Sequence, residues 1–413
     1  VSLMPADNVD GMRADVLEAI REISPPIVRW PGGNFVSGYD WRDGIGERDR
    51  RPPRWDRAWN AWEWNDFGTD EFMRFCQLVG AQPYICANAG EGMAREAADW
   101  VEYCNGPTES RWGSVRASLG HPEPYDVRVW GLGNEMYGDW QLGHLSATNY
   151  GLKAVEMARA MRAVDPTIQL VGVGVDADGW GGWNREVCRI AGPYMEWLSV
   201  HYYLGARVED DPILTYMNEV GAPAQVERML MATYQIAEAA AGRPIPLAFD
   251  EWNVWTNTDA YSLREGLFAC LIFHALHRLG DRCPMANLAQ LVNMLGAIYT
   301  DQTRVVRTPV HLAFRLYTRG SGAVGVPVEV QAPVTHFSLG GELAALDAVA
   351  SLSHDARTLY VAVVNRMPAD SVETRLELSG FDPADAVQVT TLNAPTPETA
   401  NTFEEPQAVG LTE

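Results

Sequence analysis

The sequence is poor in features that would assign it to several common classes of protein. No run approaches the ~20 apolar residues of a membrane-spanning helix, so we expect no transmembrane segment. Basic residues are outnumbered, with 32 Lys and Arg against 54 Asp and Glu, which gives a net charge of −22. A field of that sign repels phosphate backbones but not neutral ligands. We therefore expect no nucleic-acid partner and no membrane partner.

Cysteine is scarce, and its pattern is not that of a disulfide framework. The six cysteines form no CxxC pair, and most lie in apolar stretches such as PYICAN and LFACLIF. We interpret them as reduced, buried side chains, with disulfide pairing as the alternative. No basic and then apolar leader begins at Val1, which favours a cytoplasmic location.

Short apolar runs recur along the first 300 residues, with helical patterns between them. The runs are continuous rather than alternating, as in strands covered on both faces of a parallel sheet. Repeated alternation of strand and helix is typical of a (β/α)8 barrel. The predicted strands are PIVRW (26–30), QPYICAN (82–88), DVRVWGLG (126–133), IQLVGVG (168–174), WLSVHYY (197–203), PLAFDEW (246–252) and ANLAQLVN (286–293).

These are seven strands where the barrel needs eight, so we expect the first to precede Val1. Apolar stripes at helical spacing predict helices around 16–23, 154–164 and 226–237. After about residue 320 the pattern changes to strand-like segments, with no helical stripe. These segments are AVGVPVEVQ, TLYVAVVNR, ETRLELSG and AVQVTTLN.

The predicted architecture is an α/β protein of two domains. Residues 1–318 form the (β/α)8 TIM barrel, and residues 319–413 form an all-β, jelly-roll-like sandwich. We expect the second domain to be incomplete, because the chain ends soon after NTFEEPQAV.

Polar residues at the ends of the predicted strands are the candidates for chemistry, because barrel active sites form at the carboxyl ends of the strands. Two of them are glutamates, Glu135 in GLGNEMYG and Glu251 in FDEWN. A single glutamate at a strand end is more often a helix cap or a surface residue. The candidates are Arg29, Asn34, Asn88, Asn134, Glu135, Asp176, Asp178, His201, Tyr203, Asp250, Glu251, Asn253, Gln290 and Asn293.

The two glutamates suggest a specific reaction. Counting the missing strand, Glu135 and Glu251 end strands four and seven, which lie on nearly opposite sides of the barrel mouth. Carboxyl groups placed there can face each other across a bound sugar. Glycoside hydrolysis needs such a pair, one to protonate the leaving oxygen and one to attack the anomeric carbon or activate water.

Five motifs, in order over about residues 10–320, resemble glycoside hydrolase family 51, the α-L-arabinofuranosidases. They are VRWPGGNF, VWGLGNEMYG, SVHYY, FDEWNVW and NLAQLVN. The resemblance implies a retaining enzyme that releases terminal α-L-arabinofuranosyl residues from arabinoxylan or arabinan. It also implies chemistry without a cofactor or metal, and a homo-oligomer, a trimer or hexamer.

The resemblance also implies a role for each matching residue. Glu135 would be the acid/base and Glu251 the nucleophile. The nucleophile must stay ionised, which a cation favours, whereas the acid must keep its proton near neutral pH, so its site should disfavour charge. The residues that would bind substrate are Arg29, Asn34, Trp59, Asn134, His201, Tyr203 and Gln290.

The sequence departs from the family in two respects. A further substrate-binding glutamate of the family has no counterpart before Asp7, which agrees with a missing first segment. The stretch from Trp55 to Trp64 holds four tryptophans, so the outer subsites would differ. Farther along, Trp180 and Trp183 would either line a subsite or hold their own loop in place.

Other functions remain open at this stage. The same fold and mechanism could serve a β-xylosidase or an endo-β-glucanase, and a binding protein without turnover would show the same sugar contacts. A barrel with unrelated chemistry would leave the five motif matches to chance. The pair His274 and His277 lies in a largely apolar helix pattern, which favours packing over a metal site.

Overall fold

The computed structural model describes residues 4–205, 211–256, 261–384 and 387–413. One sheet carries all seven predicted barrel strands, in the order β1-β4-β5-β6-β7-β8-β9. The strands up to residue 307 are β1 (Ile27–Trp30), β2 (Arg54–Asp56), β3 (Ala61–Glu63), β4 (Gln82–Cys86), β5 (Val129–Gly131), β6 (Gln169–Val173), β7 (Trp197–Leu204), β8 (Leu247–Val254), β9 (Met285–Leu288), β10 (Ile298–Thr300) and β11 (Val305–Arg307).

Side chains from all seven strands meet inside this sheet. The pairs β1–β4, β4–β5, β5–β6 and β6–β7 are parallel. The strands of this sheet lie side by side in their order along the chain, with the separate pair β2–β3 inserted between β1 and β4. A continuous apolar interior of this kind is the packed core of a (β/α) barrel. The core consists of Tyr84, Val129, Val171, Ala248 and Met285, with Ile27 and Trp197 packed against it.

Helices alternate with the barrel strands, as the sequence predicts. The three predicted helices correspond to α1, α5 and α7, although α7 begins well before its predicted start. Within the described ranges, no helix is both long and apolar enough to cross a membrane. The helices are α1 (Ala14–Ile23), α2 (Thr69–Val79), α3 (Ala94–Asn105), α4 (Arg111–Ser118), α5 (Ala147–Val164), α6 (Gly179–Ala191), α7 (Pro212–Ala241), α8 (Leu263–Leu279) and α9 (Pro309–Arg319).

Local sequence explains where helix α5 begins and ends. The Ser146 hydroxyl accepts a hydrogen bond from the Asn149 N–H at 3.3 Å, which satisfies one of the free donors of the first turn. The helix ends at Asp165, because Pro166 cannot continue it. The six cysteines are all buried and free, which confirms the interpretation from the sequence.

The chain forms two compact units. The first comprises residues 1–201, 229–251 and 281–287, and it contains the barrel core. The second comprises residues 202–228, 252–280 and 288–413. The boundary between residues 318 and 319 stays a prediction from the sequence.

The second unit contains the small β-sheets after residue 320. A three-stranded antiparallel sheet has the order β12-β15-β16, and β13–β14 and β17–β18 are antiparallel pairs. The strands are β12 (Val324–Val326), β13 (Val334–Phe337), β14 (Gly341–Ala344), β15 (Leu346–Leu352), β16 (Leu359–Asn365), β17 (Thr391–Asn393) and β18 (Gly410–Thr412).

One predicted strand of this region is wrong, and two others are much shorter than predicted, since AVGVPVEVQ contributes only β12. ETRLELSG (373–380) alternates like a strand, but it pairs with no other strand in the described part of the chain, and its side chains are exposed. Alternation stabilises a strand only when one face is buried. AVQVTTLN contributes only β17, and its first residue, Ala386, lies outside the described residues.

A buried charge network links helix α8 to strand β15 in the second unit. The Asp347 carboxylate lies 2.5 Å from His274 Nδ1 and 2.9 Å from Arg278 Nη1, and it also accepts a hydrogen bond from Arg366. His274 Nε2 lies 2.6 Å from the Tyr317 hydroxyl. Burial would raise the pKa of Asp347, but His274 and the two arginines hold it well below its ordinary value.

We expect Asp347→Ala to destabilise the second unit by about 3–5 kcal/mol, because it leaves the buried cation of Arg366 without its counter-ion. Glu227→Gln is the matched control, since its contact with Arg278 is partly exposed and surface pairs contribute about 0–1 kcal/mol. The measurement is urea unfolding followed by hydrogen exchange in α8. Equal losses for the two variants would contradict the role of Asp347.

The same network should give an acid-sensitive stability. The pKa of Asp347 is lowered by folding, so its contribution is present above its ordinary pKa and is lost as the pH falls below it. Asp347→Ala should lack that part of the acid dependence.

Candidate active site

Glu135 follows strand β5 in a tight turn. Its φ is 41°, in the left-handed region that non-glycine residues rarely adopt. The turn needs glycine at Gly133, where φ is 100° and an added Cβ would lie 2.5 Å from the Ala89 side chain. The turn therefore presents Glu135 at the carboxyl end of the barrel strands, in a backbone conformation that is more typical of functional sites than of regular structure.

Glu251 lies near the end of strand β8 and is also largely buried. Arg29 Nη1 donates a hydrogen bond to Glu251 Oε1 at 2.8 Å. One carboxylate oxygen of Glu135, one of Glu251 and a ring nitrogen of His201 all lie within 4.8 Å of one another. The two glutamates, which the sequence placed at the third and sixth visible strands, therefore face each other in one site.

Arg29 donates hydrogen bonds to two side chains of the site and forms an ion pair with a third. Besides Glu251, its Nη2 donates to Asn134 Oδ1 at 2.7 Å, and its Nε lies 3.4 Å from Asp250 Oδ2. Burial would lower the pKa of Arg29, but Asp250, Cys86 and Glu251 raise it well above its ordinary value. A permanent cation is thus fixed beside Glu251, as the sequence predicts for an ionised nucleophile.

Asp250 is the counter-ion whose role the sequence analysis missed. Its carboxylate is fully enclosed and accepts hydrogen bonds from the Tyr84 hydroxyl at 2.8 Å and the Ser199 hydroxyl at 2.6 Å. Burial would raise its pKa, but Arg29 and His201 lower it to about 2. The sequence carried no local signal for this role, because the partners of Asp250 come from three other strands.

His201 lies among three carboxylates. Its Nδ1 is 2.9 Å from Glu135 Oε1 and 3.6 Å from Glu251 Oε2, and its Nε2 is 3.4 Å from Asp250 Oδ1. Burial would lower the pKa of His201, but the charge of Glu251 and hydrogen bonds to Asp250 and Glu135 raise it to about 10. The imidazole is therefore a protonated donor at neutral pH.

This arrangement corrects the expected charge state of Glu135. The family resemblance predicts a site that disfavours charge on the acid. Burial does raise the pKa of Glu135, but hydrogen bonds from His201 and Trp140 lower it overall. The contacts of Glu135 with His201 and Trp140 therefore favour its charged form, and His201 Nδ1, 2.9 Å from Glu135 Oε1, is placed to exchange a proton with it.

Two aromatic residues beside Glu135 were also missed. Trp140 Nε1 donates to Glu135 Oε2 at 2.8 Å, and the Tyr137 hydroxyl lies 3.4 Å from Glu135 Oε1. Asn34 positions this segment, because its amide donates to the Trp140 carbonyl at 2.6 Å and accepts from the Leu142 N–H at 3.0 Å. Both residues follow Glu135 in the same loop, which is the signal that could have found them.

The remaining predicted site residues lie in different environments. Asn134 is buried, with its amide between Arg29 and the Gln141 side chain. Trp59 is exposed in the turn between β2 and β3. Tyr203 and Gln290 belong to the second unit: the Tyr203 ring packs edge-on against Trp255 at 5.6 Å, and Gln290 is exposed.

We expect His201→Gln to move the alkaline limb of the kcat/KM profile to lower pH by at least about two units. In the native chain the raised pKa of His201 keeps the shared proton until the pH rises through about 10. In the variant only the Glu135 carboxyl can hold it. The measurement is the pH profile on an aryl glycoside, and an unmoved limb would contradict the shared proton.

Ser199→Ala is the matched control for this profile. Its hydroxyl lies 3.2 Å from His201 Nε2 and donates to Asp250, but it carries no proton that titrates in this range. The alkaline limb of the kcat/KM profile of Ser199→Ala should lie at the same pH as the native limb, even if the maximal kcat/KM changes.

In the barrel, one carboxylate oxygen of Glu135 and one of Glu251 lie within 4.8 Å of each other. This close approach agrees with a retaining glycoside hydrolase, in which the carboxyl groups lie about 5–5.5 Å apart, rather than with an inverting one, in which they lie ~6.5–9.5 Å apart. Comparison with known proteins narrows this class. A family model described as "Alpha-L-arabinofuranosidase 1 domain" matches residues 19–218, and one described as "Alpha-L-arabinofuranosidase C-terminal domain" matches residues 250–413. The chain therefore belongs to the α-L-arabinofuranosidases of glycoside hydrolase family 51.

Individual relatives agree with this assignment. A probable alpha-L-arabinofuranosidase C of Aspergillus clavatus is 33% identical, over 99% of this chain and 85% of that one. The intracellular exo-alpha-(1->5)-L-arabinofuranosidase 1 of Bacillus subtilis is 33% identical, over 92% of this chain and 80% of that one. The crystal structure of an alpha-L-arabinofuranosidase from Thermotoga maritima, an arabinose complex, is 38% identical with a TM-score of 0.91, over 100% of this chain and 87% of that one.

Proposed function

We propose that this chain releases terminal α-L-arabinofuranosyl residues from arabinan- or arabinoxylan-type glycans by double displacement. The observation that carries the proposal is the close approach of Glu135 and Glu251, with Arg29 hydrogen-bonded to Glu251 and His201 Nδ1 2.9 Å from Glu135. The names of relatives support the substrate class, because one is an exo-alpha-(1->5)-L-arabinofuranosidase and another is an arabinose complex.

In the first step Glu251 acts as the nucleophile. One of its carboxylate oxygens bonds to the anomeric carbon while the bond from that carbon to the leaving oxygen breaks. The proton shared by His201 and Glu135 passes through Glu135 to the leaving oxygen. The products are a glycosyl ester on Glu251 and the shortened glycan.

In the second step Glu135 acts as the base. It removes a proton from a water molecule whose oxygen attacks the anomeric carbon, and the ester bond to Glu251 breaks. Arabinose leaves with the configuration that it had in the glycan, because two inversions occur at the same carbon. Glu251 is again an anion beside Arg29.

The test compares three aryl glycosides and one polymer. The native chain should release nitrophenol from the α-L-arabinofuranoside and arabinose from linear 1,5-arabinan. Faster cleavage of the aryl β-D-xyloside or β-D-glucoside would keep the mechanism and overturn the substrate. A folded chain that cleaves none of them would favour a binding protein.

Location and assembly complete the proposal. Bacterial relatives from Bacillus subtilis and Acetivibrio thermocellus are named intracellular, which supports an intracellular, cytoplasmic location. The family resemblance supports a homo-oligomer, a trimer or hexamer, and light scattering of the purified chain tests this directly.

A further inference from the structure

A cavity of about 790 Å³ opens beside the loop that carries Glu135. Residues from the loop after Glu135, the start of α5 and the start of α6 line it, and all of them belong to the first unit. The volume lies within the range of small-molecule and cofactor sites, roughly 300–1,000 Å³. The aromatic and polar lining residues include Tyr137, Thr148, Asp178, Trp180, Arg185 and Glu186.

An aromatic wall runs from Glu135 into this cavity. The Tyr137 hydroxyl lies 3.4 Å from Glu135, and the Tyr137 ring is 5.3 Å from the ring of Trp180, tilted by 38°. Trp140, which donates to Glu135, lies 5.5 Å from Trp180 between ring centroids. The wall is continuous, so a ligand that touches Glu135 can extend onto Trp180.

The backbone at Trp180 is held in an unusual conformation. Trp180 has φ 53° and ψ 43°, and Gly181 and Gly182 that follow it also have positive φ. A bulky residue in the left-handed region costs about 1–3 kcal/mol in general, and such residues cluster at ligand sites. The loop keeps a large ring at this position although glycine would fit it without strain.

Trp180 and Trp183 differ in burial, and this difference separates the two roles expected for them, lining a subsite or holding their own loop in place. Trp183 is 2% exposed, and its Nε1 donates to the Val173 carbonyl at 2.9 Å, so it holds the loop in place. Trp180 is 51% exposed. Packing accounts for Trp183, and it leaves the open face of Trp180 available for a ligand.

Polar groups suited to neutral sugars line the rest of the cavity. Arg185 Nη2 pairs with Asp178 Oδ2 at 2.6 Å, and the Thr148 hydroxyl donates to Glu186 Oε1 at 2.9 Å. Each of these pairs keeps lone pairs or N–H groups that sugar hydroxyls can use. Arg185 pairs with Asp178, and Arg189 Nη2 lies 2.8 Å from Glu186 Oε1. Both acidic side chains are therefore paired with a cation, which suits a neutral ligand better than an ionic one.

We infer that this cavity binds the part of the glycan that leaves, the chain from which arabinose is cut, with a sugar ring stacked on Trp180. Glu135 protonates the leaving oxygen in the proposed function, on which this inference rests, so the leaving chain must start beside Glu135. The aromatic wall offers that chain a path of sugar-stacking faces. Trp180 is thus a residue that sets the preference for polymers over small arabinosides.

The experiment compares kcat/KM on linear 1,5-arabinan with kcat/KM on the aryl α-L-arabinofuranoside. Trp180→Gly removes the ring and accepts the left-handed backbone without strain. We expect the ratio of polymer to aryl activity to fall about tenfold, which equals about 1.4 kcal/mol, with an unchanged melting temperature. Trp180→Tyr should recover most of the ratio because it restores an aromatic face.

Leu152→Ala is the control, because Leu152 is an exposed apolar residue on α5 outside the lining of this cavity. Its ratio should stay native. The inference is overturned if Trp180→Gly leaves the ratio unchanged, if it lowers both activities equally, or if Leu152→Ala lowers the ratio as much as Trp180→Gly does. Failure of the native chain on both substrates would instead refute the proposed function.

Discussion

Glu251→Gln is expected to lower kcat on the aryl α-L-arabinofuranoside by about 10⁴–10⁶-fold. The glutamine amide has nearly the shape of the carboxylate, and its oxygen can still accept the hydrogen bond from Arg29, which lies 2.8 Å from Glu251. It cannot form the glycosyl ester. Initial rates of nitrophenol release measure the loss.

Two further measurements distinguish loss of the nucleophile from loss of substrate binding or of the fold. Arabinose binding by calorimetry should persist in Glu251→Gln, because the pocket keeps its shape. Glu377→Gln, an exposed glutamate of the second unit, makes the same chemical change elsewhere and should keep native rates. Residual turnover above about one per cent in Glu251→Gln would assign the nucleophile to another residue.

Glu135→Ala is expected to separate substrates by their leaving groups. Activity on 1,5-arabinan should fall by about 10²–10⁴-fold, because a sugar alkoxide must be protonated as it leaves. The first step on the aryl glycoside should fall far less, because nitrophenolate leaves without a proton. The measurement is the pair of kcat/KM values, together with product analysis after azide is added.

Azide provides the internal control for Glu135→Ala. It needs no base, so it should attack the glycosyl ester, restore turnover of the aryl substrate and give arabinosyl azide. Glu186→Gln, a carboxylate in the neighbouring cavity, should show no azide product. Equal losses on both substrates, with no effect of azide, would remove Glu135 from the acid/base role.

The sequence predicted the barrel best where a strand is buried on both faces. A short continuous apolar run such as PLAFDEW predicts a buried strand, and all eight residues of β8 are buried. The pattern failed at ETRLELSG, where alternation alone suggested a strand. Alternation shows that a segment can have an apolar face, but burial of that face depends on distant residues.

The site was predictable to the extent that its residues follow strands. Glu135, Glu251, Arg29 and His201 were found because each ends an apolar run. The role of Asp250 was missed because it depends on three partners from other strands. The charge state of Glu135 was missed for the same reason, since a pKa is set by neighbours in space.

Because His201 lies between the two glutamates, its affinity for a proton depends on the charge of Glu251. Glu251 is the strongest of the charges that raise the pKa of His201, and it loses its charge when the glycosyl ester forms. The pKa of His201 should therefore fall as the ester forms, which is when the proton shared with Glu135 has to pass to the leaving oxygen. When water later restores the charge on Glu251, the same pair regains its hold and recaptures a proton. The buried imidazole of His201 thus couples formation and hydrolysis of the glycosyl ester on Glu251 to the release and uptake of a proton, without a conformational change.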